Sequence, residues 1–174
     1  MDVFTKEKRS SIMSRIKSKD TQPEIFVRKL LFASGFRYRL HKSDLPGKPD
    51  IVLPKHHVAV FVNGCFWHRH EGCPNASHPS SRSEFWEQKL EKNRQRDLKV
   101  RSELAHLGWR VLVVWECACL KSLEKSLSEA MSSFILGMDS PFAEIGRTDL
   151  EHNASNNGVS LDGNSGGKKC SPPV

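Results

Sequence analysis

The segment Gly64-Cys-Phe-Trp-His-Arg-His-Glu-Gly-Cys73 crowds Cys65, His70 and Cys73 into nine residues, and Cys117 follows at the end of a later apolar run. Read together they form one tetrahedral metal site, which ties two distant stretches of chain to a common point. Thiolates and a borderline imidazole are the donors of a closed structural Zn²⁺ site, and the local spacing is C-x4-H-x2-C. The competing reading is that Cys65 and Cys117 are small buried hydrophobes and that the histidines sit in a solvated loop.

At 174 residues the chain fits one domain and can bury a core without disulfide staples. Its five cysteines are an odd number, no apolar signal segment opens it, and no run is long enough to span a bilayer. A reducing cytoplasm and no membrane are therefore expected. Lys and Arg total 27 against 20 acids, a net charge of +7. From Gly146 onward Arg147, Lys168 and Lys169 cancel Asp149, Glu151 and Asp162, so the excess belongs to the residues before them. A polyanion, and nucleic acid first, is the partner such a balance fits, with a merely basic soluble protein as the alternative.

Residues 5–17 are basic and weakly amphipathic, and residues 1–20 are read as an arm or helix that touches phosphate, or as a frayed terminus. Thr21-Gln-Pro-Glu24 is a capping-box pattern, followed by Ile25, Val27, Leu30 and Leu31 and closed near Gly35. Residues 36–40 alternate as a strand, and two β-branched runs follow at 50–53 and 58–62. Ser81-x-x-Glu84 caps a long helix that ends at Gly108, residues 109–116 form a fourth strand, and Leu120, Leu123, Leu127, Met131 and Phe134 step at helical spacing to Gly137. The order helix, three strands, helix, strand, helix predicts a single α/β domain over 21–137, a central mixed sheet flanked by helices. The last strand, reached through a helix, should pair in parallel. From 138 a polar tail is expected, with Gly, Ser and Asn dominating beyond Gly146 and no ordered structure there.

Asp50 opens a strand directly after Pro46-Gly-Lys-Pro49, and the next strand leads to Asn63 and His68, so an acid, an amide and an imidazole can meet at one end of the sheet. A carboxylate at a strand start can hold Mg²⁺ with phosphate oxygens and waters, and Glu24 on the first helix can catch an outer water. The alternative for Asp50 is a turn residue after proline. Phe66, Trp67 and Trp86 lie beside basic residues in segments that would ordinarily face solvent. Exposed rings there suit insertion between base steps, against the alternative of tryptophans that simply fill a core.

The run Leu45-Pro-Gly-Lys-Pro-Asp50, then Val60-Phe-Val-Asn-Gly-Cys-Phe-Trp-His68, then Arg82-Ser-Glu-Phe-Trp86 with Lys89, Lys92, Asn93 and Asp97, then Leu107-Gly-Trp-Arg-Val-Leu-Val-Val-Trp-Glu-Cys117, closely resembles the very short patch repair endonucleases. The resemblance covers roughly residues 5–136 in order. It implies a fold similar to the PD-(D/E)XK, restriction-endonuclease-like nucleases with a structural zinc site. The implied activity is nicking of double-stranded DNA on the 5′ side of the thymine in a T:G mismatch. Asp50 would be the Mg²⁺-binding acid, His68 the imidazole near the attacking water and Glu24 a holder of metal-bound water. Cys65, His70, Cys73 and Cys117 would hold Zn²⁺. Phe66 and Trp67, with Trp86 behind them, would form a wedge beside the mismatch, Met13 would contact DNA from the N-terminal arm, and Lys89 and Asn93 would join the DNA-facing set. A monomer acting on one strand is implied, with repair-pathway proteins as further partners.

Two departures from the family pattern bear on these assignments. Where the family carries a second active-site histidine this chain has Asn63, which can orient a water but cannot take up a proton at neutral pH. The loop between His70 and Cys73 is one residue longer, so His68 or His78 competes with His70, and Cys119 lies near Cys117. Two other functions remain open from sequence: a zinc-stabilised DNA-binding module without catalysis, and a related nuclease with a different target.

Overall fold

Thr21 opens the first helix because its side-chain oxygen accepts from the N–H of Glu24, and Pro23 needs no donor partner in the first turn. The computed structural model describes residues 19–77, 82–138 and 140–156. This helix, α1 (Gln22–Ala33), buries Val27, Leu30 and Leu31 and ends at Gly35, whose φ of 85° suits a residue without a Cβ. Met13, and with it the N-terminal arm up to residue 18, lies outside the described residues, as does His78.

Five strands follow in spatial order β1-β2-β3-β4-β5. The run expected as a strand over 36–40 forms one only at β1 (Arg39–Leu40), which pairs antiparallel with β2 (Ile51–Leu53). Phe36 leaves the ladder and packs into the core instead. β2 pairs antiparallel with β3 (Val58–Asn63), and β3 pairs in parallel with β4 (Arg110–Trp115), as the crossover through a helix requires. That helix, α2 (Ser83–His106), starts after Arg82, whose side chain makes no capping bond, and the expected capping residue Ser81 lies outside the described residues. Arginine has no acceptor with which to cap.

The chain does not end its fold at 137. After α3 (Glu124–Leu136), residues 142–145 form β5 (Phe142–Ile145), parallel to β4, and α4 (Arg147–Asn156) follows. The tail expected from 138 is thus corrected for the residues to 156. Ile145 and Leu150 are buried, and Phe142 and Ala143 pack against the core as β5 pairs with β4, so this short strand and helix dock onto the sheet. Residues 157–174 lie outside the described set.

Strand alternation sorts the core into two faces. Ile51, Leu53, Val58, Val60, Leu112 and Val114 pack on one face under α1, α3 and α4. Val52, Ala59, Val111, Val113 and Trp115 face the other side, where Leu104 of α2 packs against them. The Arg110 guanidinium joins the layers by donating to the carbonyls of Phe134, Ile135 and Gly137 at the end of α3, a position that favours a cation. Leu45 packs with the second face, and Gly47 in the turn before β2 lies so close to Val100 of α2 that a Cβ there would collide. α2 therefore covers one end of its sheet face, and an open groove of about 860 Å³ remains beside it.

Candidate active site and metal cluster

Register brings the four soft ligands together. Asn63 at the end of β3 pairs with Trp115 at the end of β4, so Cys65 and Cys117 each lie two residues past a matched pair. The loop after β3 then folds back, with His70 N–H on the Cys65 carbonyl at 3.0 Å and Cys73 N–H on the His70 carbonyl at 3.3 Å. Ligand atoms of Cys65, His70, Cys73 and Cys117 all lie within 4.8 Å of one another. His70 Nδ1 is 3.6 Å from Cys65 Sγ and 3.4 Å from Cys117 Sγ. A tetrahedral ion with the usual Zn–S and Zn–N bond lengths places S and N about 3.6 Å apart, so this donor set fits such an ion. Burial pushes the Cys65 and Cys117 thiols up and the His70 imidazole down. The thiols thus need a cation to ionise, and the imidazole is held in the neutral form a metal binds.

His70 is the nitrogen in this cluster, and neither His68 nor Cys119 joins it. Cys119 packs toward the opposite core face and burial pushes its thiol up to about 12. The residues past 137 complete the surroundings: the Arg147 N–H donates to Cys117 Sγ at 3.4 Å, and Trp115, stacked on His70, donates through Nε1 to Glu144 at 3.1 Å.

The second group of candidate side chains lines the groove. Glu24, Asp50, Asn63 and His68 all face it. Asp50 Oδ2 accepts from the Val62 N–H at 2.8 Å, which fixes the carboxylate between β2 and β3. Burial raises the Asp50 carboxyl above its ordinary range, the Val62 bond opposes that shift, and the charge of Glu24 adds to it. A carboxylate raised in this way gains most from a divalent cation beside it, so Asp50 fits the role of a metal-holding acid.

Glu24 is 4 % exposed and pinned from three sides. Thr21 Oγ1 donates to Oε1 at 2.9 Å, and the Asp20 N–H and Arg28 Nη2 donate to Oε2 at 3.0 and 2.8 Å. The capping box that starts α1 thus also orients an acid of the groove. His68 Nδ1 lies 2.5 Å from Asp97 Oδ2 on α2. A proton held there leaves the lone pair on Nε2, the state needed to accept a proton. Asp97 stands among the residues that carry the family resemblance, yet no role attaches to it there, because one acid among the many charges of α2 has no local signal of its own.

The aromatic residues gather at the rim. Phe66 contacts Trp67 and Trp86 edge-on with centroids 5.1 and 5.4 Å apart, and all three are half-buried. Phe85, 55 % exposed, extends the cluster 5.5 Å from Trp86. The Lys89 ammonium lies 5.4 and 5.5 Å from the Trp67 and Trp86 rings. Asn93 Nδ2 donates to the Trp67 carbonyl at 3.0 Å, so Asn93 anchors the aromatic loop to α2.

Residues 1–74 match the family described as DNA mismatch endonuclease Vsr. DNA mismatch endonuclease Vsr of Escherichia coli K12 is 43 % identical over 131 residues, 75 % of this chain and 83 % of that protein. The chain belongs to the Vsr family. Proteins named type II nicking enzymes are similar as well. V.NmeAIP of Neisseria meningitidis is 50 % identical over 116 residues, 67 % of this chain and 82 % of its own length. V.XorIIP of Xanthomonas oryzae is 49 % identical over 116 residues, 67 % and 85 % of the two chains. Membership of the Vsr family makes the protein an endodeoxyribonuclease, and the reading as a binding module without catalysis is set aside. Among the described residues no helix is long and apolar enough to cross a membrane.

Proposed function

We propose that this protein is a Mg²⁺-dependent mismatch endonuclease that nicks one strand of double-stranded DNA 5′ of the thymine in a T:G pair, on a PD-(D/E)XK-like fold with structural Zn²⁺. The observation that carries this reading is the convergence of Asp50, Glu24 and His68 on one groove beside an aromatic cluster. Asp50 would hold Mg²⁺, with Glu24 orienting an outer water, and Cys65, His70, Cys73 and Cys117 would hold Zn²⁺. Asp50 would hold the metal, which when bound would supply Lewis-acid polarisation of the scissile phosphate and charge stabilisation for the leaving 3′ oxygen. His68, oriented by Asp97, accepts the proton of the attacking water through Nε2. Asn63 lines the same groove and orients water without exchanging protons.

Phe66, Trp67 and Trp86, with Lys89 beside them, form the wedge of this reading. A wobble pair stacks less well than a Watson–Crick pair, so separating it costs less, and selectivity follows partly from that deformability. Met13 and the N-terminal arm would reach the duplex from outside the described residues. The protein would act as a monomer in the cytoplasm at nucleoid DNA, with repair-pathway proteins as partners.

A nuclease of the same chemistry with another target is the second reading, favoured by the similarity to type II nicking enzymes. Strand-resolved cleavage of duplexes carrying each mismatch, with and without Mg²⁺, tests both. A single nick 5′ of T in T:G duplexes is expected. Equal cleavage of T:A duplexes, or of another mismatch in preference, overturns the T:G assignment.

A further inference from the structure

Beside the groove, Asp20, Glu24 and His41 place one carboxylate oxygen each and an imidazole nitrogen within 4.8 Å of one another, a donor set suited to a divalent ion. A guanidinium already sits among them. Arg28 Nη1 contacts Asp20 Oδ1 at 2.5 Å, and Nη2 contacts Glu24 Oε2 at 2.8 Å and His41 Nε2 at 3.2 Å. Since arginine has no acceptor, His41 Nε2 accepts here and its proton is on Nδ1. All three candidate ligands are thereby turned onto one side chain.

Arg28 is itself buried, 9 % exposed, and its Nε has no hydrogen-bond partner among the described residues. A buried guanidinium with an orphaned donor is a poor arrangement for stability alone. It does settle the geometry of Glu24. An ionised carboxylate offers about four lone-pair directions. Thr21, the Asp20 N–H and Arg28 take three of them, which leaves Glu24 room for one further donor such as a water and none for bidentate coordination.

We propose that Arg28 is the resident cation of the Asp20/Glu24/His41 pocket, a positioning residue that keeps Glu24 aimed at the groove and directs the incoming divalent ion to Asp50. This rests on the reading of Asp50 and Glu24 given above. Without the guanidinium, two carboxylates and an imidazole would open a second ion site beside Asp50, on the wrong side of Glu24.

The test counts Mn²⁺ bound by the zinc-loaded full-length protein without DNA, from the electron paramagnetic resonance of free Mn²⁺. Arg28→Met gains an additional bound ion, and adding His41→Gln to that variant removes the gain. Arg28→Lys, which keeps a cation in place, gains none. In otherwise wild-type protein, Asp20→Asn with His41→Gln leaves Mn²⁺ uptake unchanged, a result that does not depend on the Arg28 variants folding. An unchanged ion count in folded Arg28→Met, or a lower count in Asp20→Asn/His41→Gln, overturns the proposal. On nicking, Arg28→Met lowers kcat by about tenfold or more and Arg28→Lys recovers most of it; an Arg28→Met enzyme with wild-type kcat overturns the positioning role. Absence of T:G nicking by the wild type would count against the proposed function and leave the ion counts standing.

Discussion

Asp97 Oδ2 lies 2.5 Å from His68 Nδ1, joining the middle of α2 to the loop that follows β3, and Asp97 Oδ1 is 3.5 Å from Arg96. The pair spans 29 positions in sequence and joins a half-buried residue of the helix to a half-buried loop. Asp97→Asn keeps the shape but removes the charge that holds the proton on Nδ1. Single-turnover nicking is expected to fall about 10²-fold or more with duplex affinity unchanged. A variant that binds and cuts like the wild type would remove Asp97 from the mechanism.

Asp50 has the opposite relation to stability and to activity. Its folded carboxyl is raised above the unfolded value, so the protonated form is favoured by folding. As pH rises through the unfolded and then the folded value, the unfolded chain binds fewer protons than the native one and stability is lost. Asp50→Asn, which removes that charge, should therefore abolish nicking yet raise Tm at neutral pH in Mg²⁺-free buffer. Each kcal/mol gained is worth about 2–4 °C in a chain of this size. The gain should shrink on acidification toward the ordinary carboxylate range, and thermal melts at several pH values read it directly.

Cys117→Ser and removal of the metal by a strong chelator should act alike. Cys65 and Cys117 are buried and burial raises their thiols, so the ion supplies folding free energy as well as order. Both treatments are expected to lower Tm by more than 10 °C, and Cys119→Ser to change metal content not at all. A stable, metal-free Cys117→Ser protein would show that the cluster is not structural.

The Arg147 N–H bond to Cys117 Sγ can be removed by proline, which is well tolerated at the first residue of α4; the exposed Arg147–Glu151 pair is lost with it, and Arg147→Ala, which keeps the N–H, is the control for that loss. Arg147→Pro is expected to weaken metal binding about tenfold in a chelator competition, with the helix retained. Gly146→Ala should act more strongly, since a Cβ there would come within 2.8 Å of the His70 ring.

What could be read in the sequence was local or strongly patterned. Thr21 and Glu24 announce α1 three residues apart, and Cys65, His70 and Cys73 declare a ligand set by spacing. The parallel pairing of β3 with β4 follows from the helix between them. What escaped depends on partners far along the chain. The pairing of Asp97 with His68 is hidden among the many charges of α2, Arg28 looks like an ordinary solvated residue of an amphipathic helix, and Phe142–Ile145 is too short a run to distinguish from the tail that follows. Each takes its meaning from what packs against it, and no periodicity encodes that.

The matched ends of β3 and β4 have a consequence for how such a chain can change over generations. Both cysteines nearest the sheet and the Asn63 wall of the groove are delivered from the same rung, Asn63 against Trp115. Inserting or deleting a single residue within either strand would invert the facing of everything beyond it and dismantle the Cys/His cluster and the groove in one step. Novelty in specificity must then enter through the loops and the outer helix surface, where length can drift without disturbing that shared rung.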